Sequence, residues 1–339
     1  MGRPDDRAAD RGITIALTGD VMLGRLVNEA LEREGPEHVW GGMLPALRRA
    51  DLLLVNLECA LTTRRQRWHD GRYKAFSFRS DPRHVAALQA AGVDLAVLAN
   101  NHVMDFGVDG MRETIRVLDG AGIAHAGAGE EVRSARASVH LRAGDLRVAI
   151  VAFADHPEEW AAGPEEPGIA YVPIGPDSVD GVAEAIRAAR AAADLVIASF
   201  HWGPNMRARP TDEFRSFAAA VVDAGADVFW GHSAHVVQGV EIRNGHLICY
   251  DTGDFVDDYA VDDELRNDLS ALFLVRVADH RIARLDLLPV RIDRMRVDPA
   301  DSADRARFVS TFAELCADLG TDVALGPREL TIEIADRPP

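Results

Sequence analysis

The chain has 339 residues, 47% of them hydrophobic, which is enough to bury a large core in one big α/β domain or two smaller ones and excludes a disordered tail. Acidic residues outnumber basic ones 54 to 37, a formal charge of -17, so nucleic acid is not expected as the main partner: no counterion release would favour it. Cys59, Cys249 and Cys316 lie far apart without CxxC spacing, the first eleven residues are charged, and no run approaches the roughly 20 apolar residues of a membrane span; a soluble cytoplasmic protein with neither thiolate zinc site nor disulfide framework is expected.

From the N-terminus, residues 1–12 read as an extended or disordered arm and 13–339 as one domain. Ile13 to Thr18 is a short β-branched run ending in Gly19-Asp20, a buried strand that delivers a carboxylate to a loop. A helix is expected over Leu23 to Arg33. Asp51 to Leu57 is a second apolar strand, running into Glu58, and Val93 to Ala99 a third, entering Asn100-Asn101-His102. Leu146 to Ala154 is another strand. The Pro-rich stretch His156 to Pro176 reads as one long surface loop. An Ala-rich helix, Val179 to Ala193, then feeds the strand Asp194 to Phe200, which stops at His201-Trp202-Gly203. Phe214 to Ala224 has helical spacing, and the strand Asp227 to Trp230 stops at Gly231-His232.

Beyond about residue 235 the strict strand–helix alternation gives way to closely spaced strands. Val236 to Arg243 and His246 to Tyr250 flank Asn244-Gly245, a strong hairpin signal. Strands Ala271 to Val277 and Ile282 to Val290 and a helix near Ala303 to Leu319 close the fold.

The polar residues fall in one kind of place. Asp20, Glu58, Asn101, His102, His201, His232 and His235 all lie at or just beyond the ends of apolar strands, and in α/β sheets the loops after strand carboxyl ends converge on one crevice. Taken singly, each has a plain structural reading: a turn or helix cap for Asp20 and Asn101, a surface or paired carboxylate for Glu58, a satisfied strand-end histidine for His201. Their co-occurrence, with two imidazoles in His232-Ser-Ala-His235, points instead to a metal cluster.

These segments carry a resemblance. Thr18-Gly-Asp20-Val-Met-Leu-Gly-Arg25, Asn56-Leu-Glu58, Asn100-Asn-His102, His201-Trp-Gly203, Gly231-His-Ser-Ala-His235 and Gly253-Asp-Phe255 occur in the order found in the CapA family of poly-γ-glutamate capsule proteins, over about residues 13–290. That family is similar to the calcineurin-like metallophosphoesterases. The resemblance implies their α/β fold, two packed mixed β-sheets flanked by helices, and a centre of two divalent metal ions, Mn, Fe or Zn. It also implies ligand roles: Asp20 and His235 on one ion, Asn101, His201 and His232 on the other, and Glu58 as the bridge. His102 takes the place of the catalytic histidine, with Asp105 orienting it. Three departures stand out. Glu58 stands at the bridging position where phosphoesterases usually carry Asp, so a different metal spacing is expected. Met22 occupies a position where many calcineurin-like enzymes have a histidine ligand, so a weaker first metal site is expected. Asp254 stands where relatives commonly have Asn, adding negative charge near the site.

The basic stretch Arg64 to Arg79 includes Arg72, Lys74 and Arg79 interleaved with aromatics, and could hold an anionic small molecule or a glutamyl polymer; a solvated loop is the plain alternative. The acidic stretch Asp251 to Glu264, including Asp254, could receive a substrate ammonium, though a solvated acidic loop is the simpler reading. Function therefore divides between a dimetal hydrolase, cutting a γ-glutamyl amide or a phosphoester, and a non-catalytic capsule-assembly scaffold with synthetase or ligase partners; a cytosolic phosphoesterase of a small-molecule pathway is a further alternative.

Overall fold

A computed structural model describes residues 12–69, 71 and 74–334; Arg72, assigned above to substrate, lies outside them. The centre of the first sheet is a parallel trio, β1 (Ile13–Val21), β2 (Leu52–Leu57) and β3 (Leu95–Val97), extended by Ala124–Ala126. These strands are continuous apolar runs buried on both faces, as parallel strands between covering layers must be. The second sheet has the parallel core β4 (Leu146–Ala154), β5 (Leu195–His201), β6 (Val228–His232) and β7 (His246–Cys249). Antiparallel hairpins close it on both edges, one through Asn244 and Gly245, whose φ values of 51° and 75° suit the tight turn their sequence predicts. The chain then returns to the first sheet: β8 (Asp254–Val256) lies parallel to the end of β1, β9 (Leu269–Ala278) runs antiparallel beside its start, and β10 (Arg281–Asp293) runs antiparallel beside β9.

Side-chain alternation assigns each face of the second sheet to a different core. Ile150, Ile197 and Trp230 join Leu17, Val55 and Phe273 of the first sheet in one cluster between the sheets. Val151, Phe200 and Phe229 face the other way, against Ile186 and Phe217. Helices α1 (Arg25–Glu34) and α2 (Gly107–Ala121) accompany the first sheet, α3 (Val179–Arg190) and α4 (Asp212–Asp223) cover the second, and α5 (Ser302–Ala317) packs on β9 and β10. The layered α/β architecture with two mixed sheets is as expected. Among the described residues, no helix is long and apolar enough to cross a membrane.

The sheets meet along a seam made by two glycines and a tryptophan. A Cβ on Gly19 would lie 2.1 Å from the Gly253 carbonyl oxygen, and one on Gly231 would lie 2.0 Å from that of Tyr250, so only glycine lets these backbones approach. Trp230 Nε1 spans the seam, donating to the Thr18 carbonyl at 3.2 Å and to Thr252 Oγ1 at 3.1 Å. Asp20 and His232 come one or two residues after these contacts.

Three expectations need correction. β1 continues through Val21 because β8 and β2 pair with its last residues, so Asp20 stands within a strand and not on a loop. The stretch from His156 to Pro176 is not one surface loop: Trp160 and Ile169 are buried, and Gly168–Ile169 pairs with Ala128–Gly129, because the apolar residues between the prolines fold inward. Helix α2 and strand Ala124–Ala126 occupy a stretch for which no element was predicted.

Replacing Trp230 by Phe keeps an aromatic ring but removes the N–H that spans the seam. Loss of a buried hydrogen bond of this kind costs about 1–3 kcal/mol, read as a lower urea midpoint. An unchanged midpoint would show that the bond does not help to hold the sheets together.

Candidate metal centre

Parallel strand ends build the site. Asp20 pairs in register with Asn56, which donates to Asp20 Oδ1 at 2.7 Å. Asn56 Oδ1 in turn accepts from Asn100 Nδ2 at 3.1 Å, and Asn100 Oδ1 accepts the backbone N–H groups of His102 and Val103 at 3.0 Å each. A buried amide relay thus holds the turn carrying Asn101 and His102 against the strand carrying Asp20. On the other sheet His201 and His232 pair in register at the ends of β5 and β6, with their Nδ1 atoms 2.9 Å apart. Ser199, two residues before His201 and on the same strand face, bonds His232 Nε2 at 2.8 Å and turns Nδ1 towards Asp20 Oδ1, 3.7 Å away.

The His232–His235 turn is strained. Ser233 and His235 have φ of 112° and 60°, a region that side-chain-bearing residues rarely occupy and that recurs at functional sites. Asp251 holds the turn by accepting Ala234 N and Gly253 N, each at 2.8 Å. His235 Nδ1 then lies 3.6 Å from Asp20 Oδ2 and 2.9 Å from Asp254 Oδ1. Glu58 Oε1 faces His201 Nε2 at 3.9 Å and His102 Nε2 at 3.8 Å, and its other oxygen accepts from the Tyr259 hydroxyl at 3.0 Å.

Two overlapping groups of donor atoms result, Asp20/His201/His232 and Asp20/Glu58/His235/Asp254, each with its atoms within 4.8 Å of one another and every residue buried. Asp20 belongs to both groups. Asp20 Oδ2, Glu58 Oε1, Asn101 Oδ1, His201 Nε2 and Asp254 Oδ2 are buried without a hydrogen-bond partner. A buried polar atom left unpaired costs free energy unless something else satisfies it, and four of these five belong to residues of the two groups, Asp20, Glu58, His201 and Asp254. Oxygen and imidazole donors so arranged fit divalent cations. Met22 does not join them: it is buried and its Sδ accepts Gly24 N at 3.0 Å.

Charge makes the same point. Burial, with Asp20 as neighbour, pushes Glu58 up to about 8; burial also raises Asp20 and Asp254 well above the usual carboxylate range, and Asp251 to about 7. Burial holds His232 down to about 3 and His201 well below its ordinary value, so both imidazoles are neutral and able to ligate. Burial also lowers His235, but the charges of Glu58 and Asp20 outweigh it and the net shift is upward.

At the edge of the cluster, His102 Nδ1 lies 2.6 Å from Asp105 Oδ2, which also accepts Phe78 N at 2.6 Å, and the Phe78 ring stacks on the imidazole at 4.0 Å. Lys74 bonds Asp105 and the Asn101 carbonyl and lies 4.4 Å over the Trp160 ring, so this residue of the basic stretch reaches the site. Arg79 instead donates to the Thr62 carbonyl at 3.2 Å and lies 6.0 Å from the Phe106 ring centroid. The acidic stretch is not a solvated loop at its start: Asp251, Asp254 and Asp257 are buried, because β8 returns there to pair with β1.

Sequence reasoning missed Asn56, Asn100, Ser199 and Tyr259 as supporting groups, and it missed Asp155 and His156. These last two follow the apolar strand β4 directly, the same signal that singled out the other strand-end residues. Asp155 bonds both His156 and Gly203 N, and the His156 ring is 5.3 Å from that of His201.

The raised Glu58 gives a pH signature for the metal-free protein. A carboxyl whose folded pKa exceeds its unfolded value stabilises the fold below the unfolded value and loses that contribution as pH rises through the folded one, here about 8. His201 and His232 are held below the ordinary imidazole value, and His235, raised in part by Glu58 itself, loses its stabilising contribution with rising pH in the same direction, so between roughly pH 6.5 and 8 the melting temperature of the metal-free wild type should fall more steeply than that of Glu58→Gln. Parallel slopes would contradict the assignment.

Residues 14–259 match the family described as bacterial capsule synthesis protein PGA_cap. A Mycobacterium tuberculosis protein named "Probable polyglutamine synthesis accessory protein" is 32% identical over 94% of this chain and 95% of its own length. Capsule biosynthesis protein CapA of Bacillus anthracis is 31% identical over 86% of this chain and 70% of its own, and PGA biosynthesis protein CapA of Bacillus subtilis 27% over 96% and 83%. Among solved structures, a phosphatase of Mycoplasma pneumoniae superposes with a TM-score of 0.47 at 13% identity, over 89% of this chain and 99% of its own, too distant a likeness to build on. With a family match across most of its length and relatives above 30% identity, the chain belongs to the PGA_cap capsule synthesis family.

Proposed function

We propose that the protein is a metal-dependent hydrolase of capsule-type polyglutamate metabolism that cuts a γ-glutamyl amide bond at a two-cation centre. The observation that carries the reading is the set of buried, unpartnered donor atoms on Asp20, Glu58, His201 and Asp254, all residues of the two donor groups, beside a His102–Asp105 pair. Asn101, His201 and His232 would hold one cation, Asp20, Glu58 and His235 the other, with both carboxylates facing the two. Two such cations supply an acidified water and polarise the bond under attack.

The chain's own groups supply the rest. Asp105 fixes the His102 ring through Nδ1, and Phe78 packs on its face, so Nε2 is presented at the edge of the cluster within reach of a substrate's proton-exchanging atom. Lys74 balances the Asp105 charge and leaves a cationic group close to where an anionic glutamyl chain would enter. The names of the capsule relatives support glutamyl material as the substrate.

A second reading, a non-catalytic assembly factor that works with a synthetase or ligase, is favoured by the word "accessory" in the Mycobacterium relative's name. His102→Ala separates the two. With Mn²⁺ supplied, hydrolysis of γ-glutamyl peptides should fall by roughly 10²–10⁴-fold while bound metal is unchanged. Wild-type protein that holds metal yet releases no product from γ-glutamyl amides would favour the assembly role, and release from phosphoesters alone would move the assignment to phosphoester hydrolysis.

A further inference from the structure

Met22 brings no donor to the centre: its sulphur is committed to the Gly24 N–H. Across the parallel pairing, Asp254 is the register partner of Asp20, fixed there by the Asp20 N–H donating to the Gly253 carbonyl at 2.8 Å. Gly253 makes this possible: with φ of +66° it turns the chain sharply, and Asp251 pins its N–H.

The Asp254 carboxylate is fully buried. One oxygen lies 2.9 Å from His235 Nδ1 and the other is buried without a partner, and the residue belongs to the four-residue donor group with Asp20, Glu58 and His235. Among the described residues no arginine or lysine hydrogen-bonds any of these three carboxylates. An acidic cluster of this kind, with unpartnered oxygens aimed inwards, is a cation site in its donor set.

We propose that Asp254 is a direct metal ligand that completes the first site as three carboxylates and one imidazole. The two halves of the centre are then chemically unequal. The first is an oxygen-rich site for a hard divalent cation such as Mn²⁺, and the second, with His201 and His232, is an imidazole-rich site that suits Zn²⁺ or Fe²⁺. The inference rests on the two-cation reading above and assigns the acidic stretch's buried start to metal and not to a substrate ammonium.

Asp254→Asn tests it, because an asparagine oxygen can still accept a hydrogen bond from His235 but brings no charge to the site. Metal-free wild type and variant are equilibrated by dialysis with Mn²⁺ and their bound metal is measured, with electron paramagnetic resonance on the same samples. The wild type should hold two Mn²⁺ per chain with an exchange-coupled spectrum. The variant should keep one, which also reports that it folds, with a mononuclear spectrum and first-site affinity reduced beyond the roughly 10–100-fold that removal of an outer hydrogen-bond partner costs. Two ions retained by the variant, with coupling intact, would overturn the proposal and leave Asp254 as an orienting partner of His235. A wild type that binds no Mn²⁺ would overturn the metal-centre reading itself.

Discussion

Buried carboxylates to which, among the described residues, no arginine or lysine is hydrogen-bonded are the constraint around which this protein is built. Asp20, Glu58 and Asp254 are fully enclosed, and the residues that touch them are amides, a tyrosine hydroxyl and imidazoles. Desolvating a carboxylate costs several kcal/mol unless a counter-charge is supplied. The upward pKa displacements of all three express that cost in the metal-free chain. Divalent cations would resolve it at the residues whose donor atoms are left unpaired, so metal binding and folding stability are expected to be linked.

The close approach of the two sheets creates that enclosure. Gly19 and Gly231 let the β1 and β6 backbones contact the segment between Tyr250 and Gly253, and Trp230 ties the sheets together just short of the ligands. Donors from one sheet, Asp20 and Glu58, thereby come within reach of donors from the other, His201 and His232. The fold's contribution to chemistry is this juxtaposition, with the amide relay through Asn56 and Asn100 setting its finer geometry.

Much of this was legible beforehand because strand ends announce themselves: an apolar run that stops at Asp, Asn or His can be read without coordinates. β4 was delimited to the residue, and the turn at Asn244-Gly245 followed from its backbone chemistry alone. What escaped depended on tertiary contacts. β1 runs on through Asp20 only because β8 returns from more than two hundred residues away to pair with it, which no local pattern reveals. The same return buries Asp251, Asp254 and Asp257, whose charges in sequence resemble a solvated loop. Trp160 and Ile169 were hidden among prolines and glycines. His156 was readable, since it follows β4 by the same rule that found His201, and the rule was not applied there.

The most direct test of a two-cation centre is to locate the ions. A crystal grown with Mn²⁺ should show two anomalous-scattering peaks about 3.5–4 Å apart, set between Asp20, Glu58 and the imidazoles of His201, His232 and His235. Absence of any peak in that cluster at saturating Mn²⁺, or strong peaks only elsewhere on the molecule, would contradict the account.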